Sequence, residues 1–217
     1  TLTSPLATVQ QGVDKCTADN GDIVYVFAGH AETLTAQIDF DVAGVRVIGL
    51  GNGNLRPTLT GNGTIDVIDI SAANCSLENF LFETPSTDAQ TADINVDAAG
   101  ARLIGNIHRG SETSNNKVSF ITVTANGDDL LIDGMRGYND VVDMVSGIEL
   151  AAASRIEIKN SVLMSKTIGY STGVIDDTGV ATQLDIHDCI LHNQKAATAV
   201  LTLSLIHISE PTRQAEI

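Results

Sequence analysis

The stretch Gly44-Val45-Arg46-Val47-Ile48-Gly49 decides the fold. It runs apolar residue, gap, second apolar residue, gap, turn-former. The same phrase returns around Leu77, Leu103, Ile132, Ile158 and Ile186. Counted from Val47, the centres lie 30, 26, 29, 26 and 28 residues apart. Alternation of period two marks a strand with one buried face. A strand phrase recurring at this interval means a solenoid, in which each unit buries its apolar face only against its neighbours.

Two residues before the centres stand Val45, Cys75, Ala101, Leu130, Ile156 and Leu184, all apolar. Two residues after stand Gly49, Asn79, Gly105, Gly134, Asn160 and Asp188, all tolerant of left-handed backbone or turns. Two further on come Gly51, Leu81, Ile107, Arg136, Val162 and Ile190. A second strand precedes each bend, as in Ile65-Asp66-Val67-Ile68-Asp69-Ile70, Asp93-Ile94-Asn95-Val96, Phe120-Ile121-Thr122-Val123 and Gly147-Ile148-Glu149-Leu150. One unit therefore reads strand, bend, loop, strand, bend. Parallel strands stacked at roughly 4.8 Å in about six or seven coils give a rod on the order of 30 Å long. The crossover rule makes it right-handed.

Other repeats fit less well. Leucine-rich repeats are shorter and need more leucine at fixed places. A helical period appears only at the N-terminus, where Leu6, Val9, Val13 and Cys16 share one face after Pro5, and Asp19-Asn20-Gly21-Asp22 reads as a stop. The expectation is an all-β chain: a right-handed parallel β-helix over residues 21–202, closed by a short N-terminal capping α-helix within residues 1–20. Such a helix would cover the open edge of the first coil.

The opening Gly21-Asp22-Ile23-Val24-Tyr25-Val26-Phe27-Ala28-Gly29-His30, followed by Gly44 to Gly51, resembles the start of right-handed parallel β-helix proteins of the pectate-lyase-like superfamily, of the type found on phages and virions. The resemblance spans roughly residues 6–201 and implies the fold. That superfamily includes lyases, hydrolases, tailspikes and passive virion parts, so the fold does not choose among them.

Residues 203–217 stand apart. Leu203-Ser204-Leu205-Ile206-His207-Ile208-Ser209-Glu210-Pro211-Thr212-Arg213 resembles the translation of a transposon-type sequencing adapter, with residues 214–217 as index sequence in the same frame. Segments of that kind are excluded from fold reasoning. The chain opens on Thr1 without an initiator methionine or an apolar leader, so both ends are expected to be cut ends.

The length of 217 residues suits one domain. No apolar run reaches the eighteen or so residues of a membrane span. A net charge of −15 argues against a nucleic-acid partner. Cys16 and Cys75 read as small buried apolar residues, and with Cys189 they form no zinc-type or disulfide pattern. No cofactor or metal is expected, calcium being the one ion the enzymatic alternative would bring.

Chemistry in a solenoid comes from residues aligned across coils. Six residues after the centres the column runs Gly53, Glu83, Arg109, Tyr138, Met164, His192. Glu83, Arg109 and Tyr138 are the candidate site, an acid, a guanidinium and a phenol able to orient a sugar or a carboxylate. The plainer reading pairs Glu83 with Arg109 as a surface ion pair. One residue after the centres run Ile48, Glu78, Ile104, Asp133, Lys159 and His187, where Asp133 beside Lys159 suggests a charge ladder. His187, His30 near Glu32 and His108 near Arg109 read as solvated ladder residues. Asp128-Asp129, Asp176-Asp177, and Asp140 and Asp143 beside Asn139 are acid groupings expected to face water, and Asp176→Ala is expected to be nearly silent.

Polygalacturonase-like catalysis implies a Gly-His-Gly and an Arg-Ile-Lys. The chain has no Gly-His-Gly, and Arg155-Ile156-Glu157-Ile158-Lys159 carries an extra Glu-Ile. Pectate-lyase-like catalysis implies an arginine beside stacked calcium-binding acids, and no acid column flanks Arg109 or Arg136. With no tryptophan, Tyr138 and Tyr170 are the expected exposed aromatic plates for a sugar. The expected function is a non-enzymatic structural or adhesion protein, a phage or virus surface component located on a virion or extracellularly. It would face host-surface carbohydrate and act as a homo-oligomer, a trimer among the forms expected. The alternatives are a polysaccharide lyase or glycoside hydrolase of the same fold, and a bacterial surface adhesin.

Overall fold

The computed structural model describes residues 5–84, 90–110, 117–139, 143–166, 168–177, 179–195, 198 and 200–203. Three parallel seven-stranded sheets wind into one β-solenoid. Sheet A holds Ile23–Val26, Arg46–Gly49, Ser76–Glu78, Arg102–Ile104, Leu131–Asp133, Ser154–Lys159 and Thr182–His187. Sheet B holds Ala31–Leu34, Thr58–Gly61, Leu81–Glu83, Ile107–Arg109, Arg136–Asn139, Val162–Ser165 and Ile190–His192. Sheet C holds Ile38–Asp39, Ile68–Ile70, Ala92–Val96, Ser119–Val123, Met144–Leu150, Tyr170–Asp177 and Leu201–Leu203.

The repeat read from the sequence is the register of sheet A. Val47, Leu77, Leu103, Ile132, Ile158 and Ile186 stand in line across neighbouring strands, and Val24 heads the column. The members from Val47 to Ile158 are buried. Each such side chain removed from water contributes about 1.5–3 kcal/mol. A parallel column in sheet C, Ile38, Ile68, Ile94, Ile121, Ile148 and Ile175, is buried as well. The coil differs from expectation in having three strands rather than two. The stretch after each bend is a strand of its own, in sheet B. Its inward positions are Leu59, Phe82, His108, Gly137, Leu163 and Leu191. That irregular column hides the period that sheet A displays.

Two left-handed residues flank the sheet A strand in almost every coil. Two positions after the centre, Asn79, Gly105, Gly134, Asn160 and Asp188 have φ between 51° and 69°. Gly49 is not among the positive-φ residues, because its coil continues into an inserted 3-10 turn, Gly53–Leu55, and Gly51 takes the left-handed turn at φ 104°. Glycine is still required at 49, since a Cβ there would lie 2.6 Å from the Asn79 carbonyl oxygen. Three positions before the centre a second column, Gly21, Gly44, Asn74, Gly100, Asp129, Arg155 and Gln183, has φ between 56° and 78°. The turn aims each N–H along the rod. Gly44 donates to Ala73, Asn74 to Ala99, Gly100 to Asp128 and Asp129 to Ser154, at 2.8–2.9 Å.

The N-terminal cap is present but brief. The helix covers Val9–Val13 only, with the Thr8 hydroxyl accepting from the Gln11 N–H at 3.2 Å. Val9 and Val13 are buried, Cys16 is half-buried, and Leu6 is exposed outside the helix. Gln10 treats the edge of sheet C as a neighbouring strand would. Its amide oxygen accepts from the Asp39 N–H at 2.7 Å and its amide nitrogen donates to the Asp39 carbonyl at 3.4 Å. Glu32, on the edge strand of sheet B, accepts from the Val9 N–H at 3.1 Å and contacts His30 at 3.1 Å. Residues 204–217 of the adapter-like tail lie outside the described residues.

Candidate functional site

The candidate column survives the bend. On the outer face of sheet B, Thr60 pairs with Glu83, Arg109 with Tyr138, Tyr138 with Met164 and Met164 with His192. Thr60, not Gly53, occupies the second coil, because the inserted turn around Gly53 delays the strand. The Arg109 Nη1 donates to Glu83 Oε1 at 2.9 Å, and both side chains are about half exposed, 56% and 42%. Tyr138 is exposed on the next coil. The structure therefore brings all three residues together on one flat, solvent-facing strand surface. Glu83 and Arg109 already satisfy one another there. In high dielectric such a pair adds ~0–1 kcal/mol.

Directly behind Arg109 lies what the sequence reading missed. His108, between Ile107 and Arg109, points inward and is fully buried, so its expected place in a solvated ladder beside Arg109 is corrected. Strand alternation alone demands this, since neighbours of an outward residue face the core. His108 Nδ1 meets Asp93 Oδ2 at 2.9 Å, and Lys117 Nζ donates to Asp93 Oδ1. All three side chains are closed to solvent. Burial pushes the imidazole below its usual pKa against the pull of Asp93. The neutral ring must donate Nδ1–H, because an ionised carboxylate only accepts. Nε2 then keeps its lone pair, with no hydrogen-bond partner among the described residues. Burial also lowers the Lys117 pKa, while Asp93 and the outer Glu83 hold its charge in place.

Aromatic rings enclose this cluster. His108 stacks on Phe82 and faces Phe120 at 5.6 Å, and Phe120 meets Tyr170 edge-on at 6.3 Å. Lys117 Nζ lies 5.6 Å from the Phe120 ring centre, a cation–π distance. Gly137 makes room, since a Cβ there would lie 2.8 Å from the Phe120 ring. Tyr170 is thus a core residue rather than an exposed plate, and burial pushes its phenol pKa up. Tyr25, on the first strand of sheet A, is an exposed aromatic the sequence reading did not single out.

The other expected groups are structural. Lys159 turns to Glu157 on its own strand at 2.7 Å, while Asp133 accepts from Asn160 Nδ2 at 2.9 Å. Asp133 and Lys159 do stand opposite one another across the strands, and the Asp133 charge acts on the ammonium, but the direct contact of Lys159 is with Glu157 on its own strand face. His187 is half-exposed, contacting Asp188 and Glu157 at 2.9 and 3.2 Å. Asp128 and Asp129 hold Arg155, and Asp128 Oδ1 also accepts from the Ser154 N–H at 2.7 Å. Asp176 and Asp177 face opposite sides of their strand as the alternation requires, yet both are buried, which corrects the expectation that they face water. Asp177 Oδ1 accepts from the Ala181 N–H at 2.6 Å. Asp143 pairs with Lys195 at 2.6 Å, and Asp140 lies outside the described residues. Cys16, Cys75 and Cys189 are free thiols.

Among the described residues no helix is long and apolar enough to cross a membrane. Comparison of the chain with protein-family models, with curated proteins and with solved structures finds no match.

Proposed function

We propose that the protein is a non-enzymatic structural or adhesion component, a stiff β-helical rod on a phage or virus surface, or an equivalent extracellular position, that presents sheet B to host-surface carbohydrate. One observation carries the reading: Glu83 and Arg109 neutralise each other at 2.9 Å on an open strand surface. A general acid or base needs a tuned pKa and reach to a substrate proton. The groups whose pKa burial shifts here, His108 and Lys117, are sealed inside the rod with Asp93 between them. Rigid outward columns of polar and aromatic side chains suit binding. The rod acts as a homo-oligomer in this reading, the trimer being the first state to look for by sedimentation.

A lyase or hydrolase of the same architecture is the second reading, favoured by the stacking of Glu83, Arg109 and Tyr138 in one column. A depolymerase assay on capsular polysaccharide and on pectin, run beside a binding assay on the same polymers, separates the two. Retention of polymer without release of new chain ends is the expected result. Turnover that Glu83→Gln abolishes would establish the enzyme instead.

A further inference from the structure

The outer face of sheet B carries a second feature beside the Glu83–Arg109 pair. The chain is strongly acidic, yet not every cation finds a carboxylate. Arg46, Arg109, Lys117, Arg155, Lys159 and Lys195 each meet a carboxylate. Among the described residues Lys15 and Arg102 do not, and neither do Arg56 and Arg136, whose guanidinium groups form no ion pair there although aspartate and glutamate number 27 in the chain.

Arg56 and Arg136 are neighbours. Arg56 closes the inserted turn Gly53–Leu55, and its Nη1 donates to the Gly105 carbonyl at 2.5 Å, two coils along. To reach it the side chain spans the intervening coil at the level of Asn79; two residues on, in the sheet B strand of that coil, the outward-facing Leu81 is only 7% exposed. Gly105 leads into Ile107, and Ile107 pairs with Arg136 on the next strand. The charge of Arg136 reaches Arg56 and, after the larger effect of burial, pushes its pKa down. Arg56 Nε is buried without a hydrogen-bond partner. Arg136 itself is exposed, and Tyr138 follows it on the same face.

We propose that Arg56 and Arg136 together bind an oxyanion, a carboxylate, sulfate or phosphate group, over Leu81 and Ile107 on the outer face of sheet B. An anion there relieves the like-charge contact. It also meets a guanidinium already held by the Gly105 carbonyl, so little side-chain freedom is lost on binding. The apolar floor lowers the local dielectric and strengthens the attraction.

The test is a titration of isotope-labelled protein with sodium sulfate, phosphate and acetate, each against sodium chloride at matched ionic strength, read on the arginine Nε–Hε resonances. The Arg56 and Arg136 signals are expected to move saturably with at least one oxyanion, and the strongest names the group. Arg136→Gln, an exposed change that leaves the fold intact, is expected to weaken that binding by about tenfold or more. Arg46→Gln, at a guanidinium already paired with Glu78, is expected to leave it unchanged. Shifts that follow chloride equally, or an Arg136→Gln variant that binds as tightly as the parent, would overturn the site.

Discussion

Phe82 and His108 stack face to face inside the solenoid, their ring centres 4.9 Å apart and their planes 6° from parallel. They are paired residues of adjacent sheet B strands, so the parallel register itself lays one ring on the other. An imidazole thus fills a place that a phenylalanine fills one coil earlier. The polar edge this leaves in the core is answered by Asp93, and Asp93 in turn by Lys117.

That chain of compensation predicts non-additive mutations. Lys117→Met leaves the buried Asp93 carboxylate with His108 as its remaining partner, and the expected loss is about 3–5 kcal/mol. Replacing Asp93 by leucine in the same chain removes the stranded charge. The double variant is therefore expected to be less destabilised than the two single losses summed, by urea denaturation. Strict additivity would show that the three side chains do not act as a unit.

His108 also predicts a pH dependence. Its folded-state pKa is lowered by burial, so between the unfolded value of about 6.5 and the folded value the unfolded chain binds a proton that the folded chain does not. Stability from this residue is complete above about pH 6.5 and falls as pH drops through that window. His187 has the opposite sign: its pKa is raised, chiefly by Asp188 and then Glu157, so its contribution is lost as pH rises. The difference between the parent and a His108→Gln variant isolates the buried residue. Unfolding free energies measured from pH 7 down to pH 5 are expected to slope less in the variant.

The left-handed columns predict unequal costs for the same substitution. Gly100 and Gly105 have φ of 78° and 63°. A Cβ at Gly105 meets nothing within 4 Å, so Gly105→Ala costs only the backbone strain, about 1–2 kcal/mol. At Gly100 a Cβ would come within 2.4 Å of Asn74 Oδ1. Gly100→Ala is expected to be the more damaging of the two in thermal unfolding. Gln183→Gly, at φ 56°, is expected to raise the melting temperature.

These columns mark what was legible in the sequence. Glycine, asparagine or aspartate two residues after each centre announces the bend, and the register of sheet A follows from the apolar residues before it. The matching column three residues before the centre was hidden, because Arg155 and Gln183 adopt left-handed backbone there without the residue types that signal it. The third sheet was hidden for a related reason: its inward positions mix leucine, phenylalanine, histidine and glycine, and a strand of three residues shows little period. Glu83, Arg109 and Tyr138 were found because column arithmetic needs only the register. The buried Asp93–His108–Lys117 cluster was missed because its members come from two sheets and a corner, a proximity no single column records.

Ile132 and Asp176 give the sharpest contrast between an inward and an outward column. Ile132 is fully buried between Leu103 and Ile158, and Ile132→Asp places an unpaired charge among them at a cost of several kcal/mol. Several coils are expected to unfold together, because each depends on its neighbours for burial. Asp176 lies in the outward column of sheet C, opposite Glu149, where the sequence predicts a silent change. It is nevertheless only 5% exposed, and it is not without an interaction partner. Asp176→Ala removes a buried polar side chain and is expected to cost about 1–3 kcal/mol. Denaturant midpoints of the two variants measured side by side decide both assignments: an Ile132→Asp protein as stable as the parent would place that side chain in water, and an unchanged Asp176→Ala protein would do the same for Asp176.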